Sequence, residues 1–392
     1  MLQTIFISAG EASGEHYGAL LADALQKQLA ASGQTAGFFG MGGERMKAAG
    51  VECVVRSEEM AVMGLTEVVR HLPRIWREYR RLKQSICDRR PSVAVLIDFP
   101  EIHFRLAKEL HRLGVPVVYF VSPQLWAWKK HRIKLVREYV DKMLVIFPFE
   151  EPFYREQGVQ AEFVGHPLAE LPLPSISREE FAAQNGLDPA KSWIGLLPGS
   201  RPKEIRDNLP EILRAARELA GSFEFIIPLA PTLNAAQREE VKLLVKNHGG
   251  GLPVRLVEDA RAALFHARAS IVASGTATVE AALIGNPFVV VYRVSALTFA
   301  IAKRVVKVPH VAMANLIAGK RVVPELLQSD FTAANIVREI RPLIPDGLPR
   351  ESMMKELERI RGLLAKNSGA GKTGGAIERA ARITLEMMRR DG

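Results

Sequence analysis

Cysteine is nearly absent: Cys53 and Cys87 are the only two in 392 residues, and they form no CxxC spacing. That excludes a disulfide framework and a thiolate zinc site, and it suits a reducing, cytoplasmic setting. Nine histidines show neither HExxH nor HxxxH spacing, and no DxD cluster is present to hold Mg²⁺ on a diphosphate. No metal and no other cofactor is therefore expected. No apolar run approaches the ~20 residues of a membrane span, so the chain is not expected to cross a bilayer. The opening Met1–Ser8 has no basic segment and Glu11 follows at once, unlike a signal peptide. Basic residues outnumber acidic ones, 53 to 43, for a formal charge of +10. Such an excess implies phosphorylated substrates or acidic lipid as partners, or simply solubility. No nucleic acid is expected, because neither a recognisable binding motif nor aromatic/basic alternation accompanies the charge.

What is present is ordinary globular material, 48% hydrophobic and 24% charged, at the length of two domains. Short apolar runs at Thr4–Ser8, Gly37–Gly40, Val93–Asp98, Val115–Val121 and Lys142–Phe147 read as strands. Helical periodicity fills gaps between them, as at Tyr17–Ala30 and Ile102–Leu113. The proline-rich Leu171–Ser175 reads as a linker. The theme then restarts with strands at Trp193–Leu197, Phe223–Pro228, Val254–Val257, Ala269–Ala273 and Phe288–Tyr292. Strands alternating with helices predict an α/β chain of two Rossmann-like domains facing a cleft, over residues 1–170 and 171–366. The tail from Met353 is helical with a break at Asn367–Gly375. Its last segment, 367–392, is expected to cross back to the first domain or to a partner's, a route to a homodimer.

Ser274-Gly275-Thr276 lies between a strand and a helix expected to end at Ile284. Such a turn aims backbone N–H groups and a partial positive charge at an anion. Glu280, one turn further on, is placed to accept hydrogen bonds from sugar hydroxyls. Gly199-Ser200-Arg201 closes another strand in the same half. Its amides and planar guanidinium suit a diphosphate, although Arg201 could equally pair with Glu204. In the first half, Gly10-Glu11-Ala12-Ser13-Gly14 is either a close-approach turn for a ligand or a tight strand–helix junction. Asp98 ends an apolar strand, where a carboxylate serves as a general base or as a helix N-cap. His16 and His166 also lie near strand ends, without a spacing that supports a metal.

Met60, Val62, Met63, Leu65, Val68 and Val69 precede a run that includes Arg70, Arg74, Trp76, Arg77, Tyr79, Arg80 and Arg81. Trp126 and Trp128 adjoin Lys129, Lys130, His131 and Arg132. Apolar residues beside a basic flank read as a membrane-surface patch, or as an amphipathic helix with its apolar side buried.

Assembled, these segments resemble the lipid-A-disaccharide synthase family over nearly the whole chain. The resemblance rests on Ala9–Gly14, Ala61–Gly64, Tyr119 with Val121-Ser122-Pro123, Trp126–Trp128, Leu196–Arg201, Ala273–Ala277, Ala302–Arg304 and Asn315-Leu316. It implies a GT-B glycosyltransferase fold, with the acceptor and the membrane served by the first domain and the UDP-sugar donor by the second. It further implies inverting transfer from UDP-2,3-diacylglucosamine to 2,3-diacylglucosamine 1-phosphate (lipid X), at the cytoplasmic face of a Gram-negative inner membrane. Asp98 would be the base, Arg201 a second catalytic position, and Glu280 the ribose contact. Gly199, Ser200, Ser274, Gly275, Thr276 and Asn315 would complete the donor site. Glu15 stands where the family usually has Asp, and no catalytic role is assigned to it. Two competing functions share the architecture: a nonhydrolysing UDP-N-acetylglucosamine 2-epimerase and a non-catalytic nucleotide or phospholipid sensor.

Overall fold

The computed structural model describes residues 3–60, 65–221, 223–294, 299, 308–365 and 374–390. It contains two compact units, Met1–Glu170 with Leu364–Gly392, and Leu171–Leu363.

The first unit is built on seven parallel strands: β1 Gln3–Ala9, β2 Ala36–Gly42, β3 Glu52–Arg56, β4 Val93–Ile97, β5 Val117–Phe120, β6 Lys142–Val145 and β7 Ala161–Phe163. Their order is β3-β2-β1-β4-β5-β6-β7. All five residues of β4 are buried, as expected of a central strand covered on both faces. Alternation along the strands divides the apolar side chains between two cores. Phe6, Leu96 and Tyr119 pack on one side of the sheet, and Ile5, Ile7, Val95 and Ile97 on the other. Each such fully buried side chain contributes roughly 1.5–3 kcal/mol of hydrophobic stabilisation.

The last helix, Ala376–Arg390, completes the second of these cores with Ala380, Ala381 and Ile383. It lies against the helix Ala12–Ala31. Arg379, only 3% exposed, donates from Nε to the Val164 carbonyl at 2.7 Å. The apolar face of this helix is thus covered within its own chain.

The second unit holds six parallel strands: β8 Ser192–Leu197, β9 Phe223–Pro228, β10 Val254–Val257, β11 Ala269–Ala273, β12 Phe288–Tyr292 and β13 Glu325–Leu327. The order is β10-β9-β8-β11-β12-β13. In each unit the chain runs outward from a central strand, then returns to that strand's other side. The reversals fall between β1 and β4 and between β8 and β11. Ligands of open α/β sheets bind outside the carboxyl ends of the strands at such points. Ala9 pairs with Ile97 and Val272 with Leu197, so the residues leaving these strands are Gly10 beside Asp98 and Ser274 near Gly199.

The membrane-patch reading needs correction at two positions. Met60 is buried in the first core, because its short helix, Ser57–Met60, packs on β3 and on the helix Leu65–Arg89. Trp126 is also buried, its indole nitrogen drawn inward by Glu150. Trp76 and Trp128 are exposed. Val62 and Met63 lie outside the described residues, as do the side chains of Leu65, Val68 and Val69. Among the described residues no helix is long and apolar enough to cross a membrane.

Candidate active site

Asp98 and Phe99 both adopt left-handed backbone geometry, with φ of 49° and 52°. Two such residues in succession cost about 1–3 kcal/mol each, so something must hold them. The Asp98 carbonyl accepts from the Tyr119 hydroxyl at 2.6 Å and faces Nδ1 of His103 at 2.5 Å. The Asp98 amide stays in the sheet, donating to Phe120 at 3.1 Å. Gly10 supplies the space: a β-carbon there would stand 2.3 Å from the Phe99 ring.

His103 is fully buried, and burial lowers its pKa to about 4. It is therefore neutral near pH 7. A carbonyl can only accept, so the ring proton sits on Nδ1, and Nε2 accepts from the Ser8 hydroxyl at 2.8 Å. Ser8, His103 and Tyr119 thus fix the Asp98 main chain from three elements while leaving its carboxyl unused by the clamp. The helix Pro100–Arg112 begins at Phe99 with no side-chain cap, so the N-cap reading of Asp98 does not hold.

The Asp98 carboxyl titrates at about 6, raised chiefly by burial and further by the negative charges of Glu11 and Glu101. A carboxylate tuned toward neutrality is a better proton acceptor for a hydroxyl than an ordinary one. Glu101 accepts from Lys129 at 3.2 Å and Arg132 at 3.0 Å through one oxygen. Burial opposes its ionisation, but these two cations outweigh that and lower its pKa. Glu150 is buried as well. Burial raises it to about 7, and its oxygens accept from Ser122 at 2.7 Å, Trp126 at 3.1 Å and the Phe147 amide at 3.1 Å. It pins the loop that follows β5.

Of the small-residue turn after β1, Gly14 is buried and Ser13 exposed, both already inside the helix Ala12–Ala31. Glu11 caps that helix through its backbone. Glu15 plays a structural part, its Oε1 accepting from the Arg45 and Met46 amides at 2.7 and 3.2 Å. His166 is a core residue whose pKa falls to about 3 by burial.

In the second unit the two phosphate-suited turns differ. Gly199 has φ 122°, and a β-carbon there would lie 2.7 Å from Glu204. The Glu204 carboxylate reaches back to the Ser200 and Arg201 amides at 3.2 and 3.4 Å. It also pairs with the Arg201 guanidinium at 3.5 Å. An internal anion therefore occupies this turn. The other helix, Thr276–Ile284, starts at Gly275 with no side-chain cap, and Gly275 and Thr276 are exposed. Ser274 is tied to the sheet through its amide, which donates to Val291 at 2.9 Å. Glu280 is raised above the ordinary carboxylate range by burial, opposed by Arg261 and reinforced by Asp259.

Asn315 is held by protein on every side. It is completely buried, and its amide oxygen accepts from Val322 and Val323 at 2.7 and 2.9 Å. Its nitrogen donates to Val323 at 2.9 Å and to Glu325 at 2.7 Å. Its hydrogen-bonding capacity is filled by protein, and it shapes the segment leading into β13.

His103, Ser8, Glu150 and Arg261 escape a reading of the sequence alone. Arg261 donates to the Pro172 carbonyl at 2.9 Å, yet its buried Nη1 finds no partner among the described residues. The only sequence signal for the Tyr119 clamp is its place in a family motif. Among the described residues no group of three or more His, Cys, Asp or Glu could hold a metal ion.

Two parallel Rossmann-like sheets with helices define the GT-B glycosyltransferase fold. The chain superposes on a calicheamicin glycosyltransferase with a TM-score of 0.60 at 18% identity, covering all of both chains. For MurG of Acinetobacter baumannii the TM-score is 0.57 at 14% identity, covering 98% of this chain and 99% of that one. A UDP-GlcNAc 2-epimerase of Neisseria meningitidis, solved with UDP-GlcNAc, gives 0.59 at 14% over 99% of each. At these identities the likeness is one of fold.

Sequence relatives are more specific. The family model described as lipid-A-disaccharide synthetase matches residues 5–370. Lipid-A-disaccharide synthases of Acidobacterium capsulatum and Koribacter versatilis are 61% and 52% identical. The alignments cover 98% of this chain in both cases, and 96% and 99% of those relatives. The chain belongs to the lipid-A-disaccharide synthase family, and is a glycosyltransferase of lipid A biosynthesis.

Proposed function

We propose that the chain transfers 2,3-diacylglucosamine from UDP-2,3-diacylglucosamine to the 6-hydroxyl of 2,3-diacylglucosamine 1-phosphate. The products are the β-1′,6-linked tetraacyl disaccharide 1-phosphate and UDP. Asp98 takes the hydroxyl proton as the acceptor oxygen forms its bond to the donor's anomeric carbon. The bond from that carbon to the diphosphate breaks with inversion, and its electron pair leaves on UDP.

The observation that carries this reading is the Asp98 carboxyl itself. It sits at the β1/β4 reversal on a clamped, left-handed backbone, with its pKa raised to about 6. In the second unit the uncapped start of the helix Thr276–Ile284 is assigned to the diphosphate. Glu280 is assigned to the ribose and Arg201 to the charge developing on departing UDP. Because Glu204 already engages the Gly199–Arg201 turn, donor binding there requires Arg201 to exchange one anion for another.

The acyl chains of both substrates favour work at a bilayer surface, on the cytoplasmic face of the inner membrane. The helix Leu65–Arg89 supports this through exposed Trp76, which stacks on Tyr79 with ring centres 5.3 Å apart and lies under Arg80.

The test is Asp98→Asn, assayed with both lipid substrates. Removal of a general base should lower kcat by about 10²–10⁴ with folding retained. Near-normal turnover in the folded variant removes the proposed base.

A further inference from the structure

Lys129 and Arg132 stand out because their shared counterion is the wrong member of the trio to be exposed. The side chains of Lys129 and Arg132 are 29% and 22% exposed, against 54% for Glu101. Two half-buried cations are thus capped by one carboxylate on their solvent side. Glu101 is therefore the member of the trio that an anion from solvent would replace.

Lys129 sits in an anchored loop. The Lys129 ammonium rests 4.0 Å from the centre of the Trp128 ring, and its backbone is left-handed, with φ 52°. The turn Lys130–Arg132 follows directly. Upstream, buried Glu150 holds Trp126 and Ser122. This loop is built to hold positive charge in one place.

That place adjoins the proposed base. Glu101 follows Asp98 by three residues, and its charge is felt by the Asp98 carboxyl. In a hexopyranose the 6-hydroxyl and the substituent at carbon 1 lie on either side of the ring oxygen, so the two groups stand one sugar ring apart. An acceptor with its 6-hydroxyl at Asp98 therefore carries its phosphate within reach of the neighbourhood of Glu101.

We propose that Lys129 and Arg132 form the subsite for the acceptor's anomeric phosphomonoester, which displaces Glu101 from them on binding. This rests on the reaction proposed above and adds the group that selects a phosphorylated acceptor. A phosphomonoester carries more negative charge than one carboxylate and offers more acceptor oxygens to the Arg132 fork. Glu101 keeps the cations from pairing with weaker anions in the empty site and raises the threshold for an unphosphorylated sugar.

The experiment measures kcat/KM with acceptor bearing or lacking the 1-phosphate, in neutral detergent free of phospholipid. The readout is the ratio of the two values. Lys129→Ala with Arg132→Ala should lower this ratio about tenfold or more, the loss of charge-assisted hydrogen bonds to one ligand group. Glu101→Gln should raise it. If the double variant folds poorly, Arg132→Gln alone gives the same readout at smaller amplitude. A ratio within twofold of wild type overturns the subsite, whatever happens to the absolute rates. A fall in binding to anionic vesicles with an unmoved ratio does so as well, and reassigns the cations to lipid headgroups. Failure of the wild-type chain to form any disaccharide would instead sink the reaction proposed above.

Discussion

The Tyr119 hydroxyl donates to the Asp98 backbone carbonyl at 2.6 Å, across neighbouring strands of one sheet. The contact restrains the main chain of the proposed base without touching its carboxyl. A residue can therefore control where the base points while taking no part in the proton transfer.

Tyr119→Phe should lower kcat about tenfold, the value of one hydrogen bond near 1.4 kcal/mol, with KM for either substrate within about twofold. The midpoint of the pH–rate curve should also fall below its wild-type position as the backbone relaxes and admits water. Loss of folded protein alone would scale kcat and leave the midpoint in place. Wild-type kcat and an unmoved midpoint together would show that the clamp is without consequence.

The pH dependence has a definite sign. Asp98 must be ionised to accept a proton and titrates at about 6, so kcat/KM should fall about tenfold per pH unit below that value and level off above it. Stability runs the other way. A carboxyl raised above its unfolded value stabilises the fold below the unfolded pKa, near 3.8, and loses that contribution as pH rises through about 6. Asp98→Asn should accordingly lose less stability than wild type across that window. Thermal melts at pH 4, 6 and 8 compare the two.

Asn315→Leu should destabilise the second unit by about 1–3 kcal/mol, since the buried amide of Val323 and the part-buried amide of Val322 would be left unpaired. Calorimetry reads this as a lowered transition for that unit. A variant that melts like wild type but fails to bind UDP would assign Asn315 to the donor site.

Trp76→Ser combined with Arg80→Ser should weaken sedimentation with anionic vesicles, and the wild-type interaction should fade as salt rises. Binding that ignores both changes would place the membrane contact elsewhere on the chain.

The parts of the fold legible in the sequence are those with continuous apolar runs. β4 and β11 are buried along their whole length and need no partner to be recognised. Strand patterning passes over β3, β7 and β13, which lie at sheet edges. β3 is half-exposed and the other two are three residues long, too little for periodicity to register. Asp98 is visible because a carboxylate ending an apolar strand is conspicuous. His103 is not: a histidine on a helix looks the same whether its ring meets water or a serine 95 residues away. The pairing of Arg201 with Glu204 can be raised from spacing as one of two readings. That the same carboxylate reaches back to two amides depends on the folded turn around Gly199. The filled hydrogen-bond set of Asn315 depends on a turn whose shape no local pattern specifies.

The placement of the final helix has a consequence for biosynthesis. Its side chains finish a core begun by β1, nearly the whole chain earlier. A ribosome delivers the first 170 residues, then the entire second unit, before supplying Ala376 onward. The second unit is contiguous and can close as soon as it emerges, whereas the first must wait with an apolar groove along the helix Ala12–Ala31 uncovered. The unit translated first is therefore the last to mature, and its vulnerability to premature chain termination extends to the codons of that last helix.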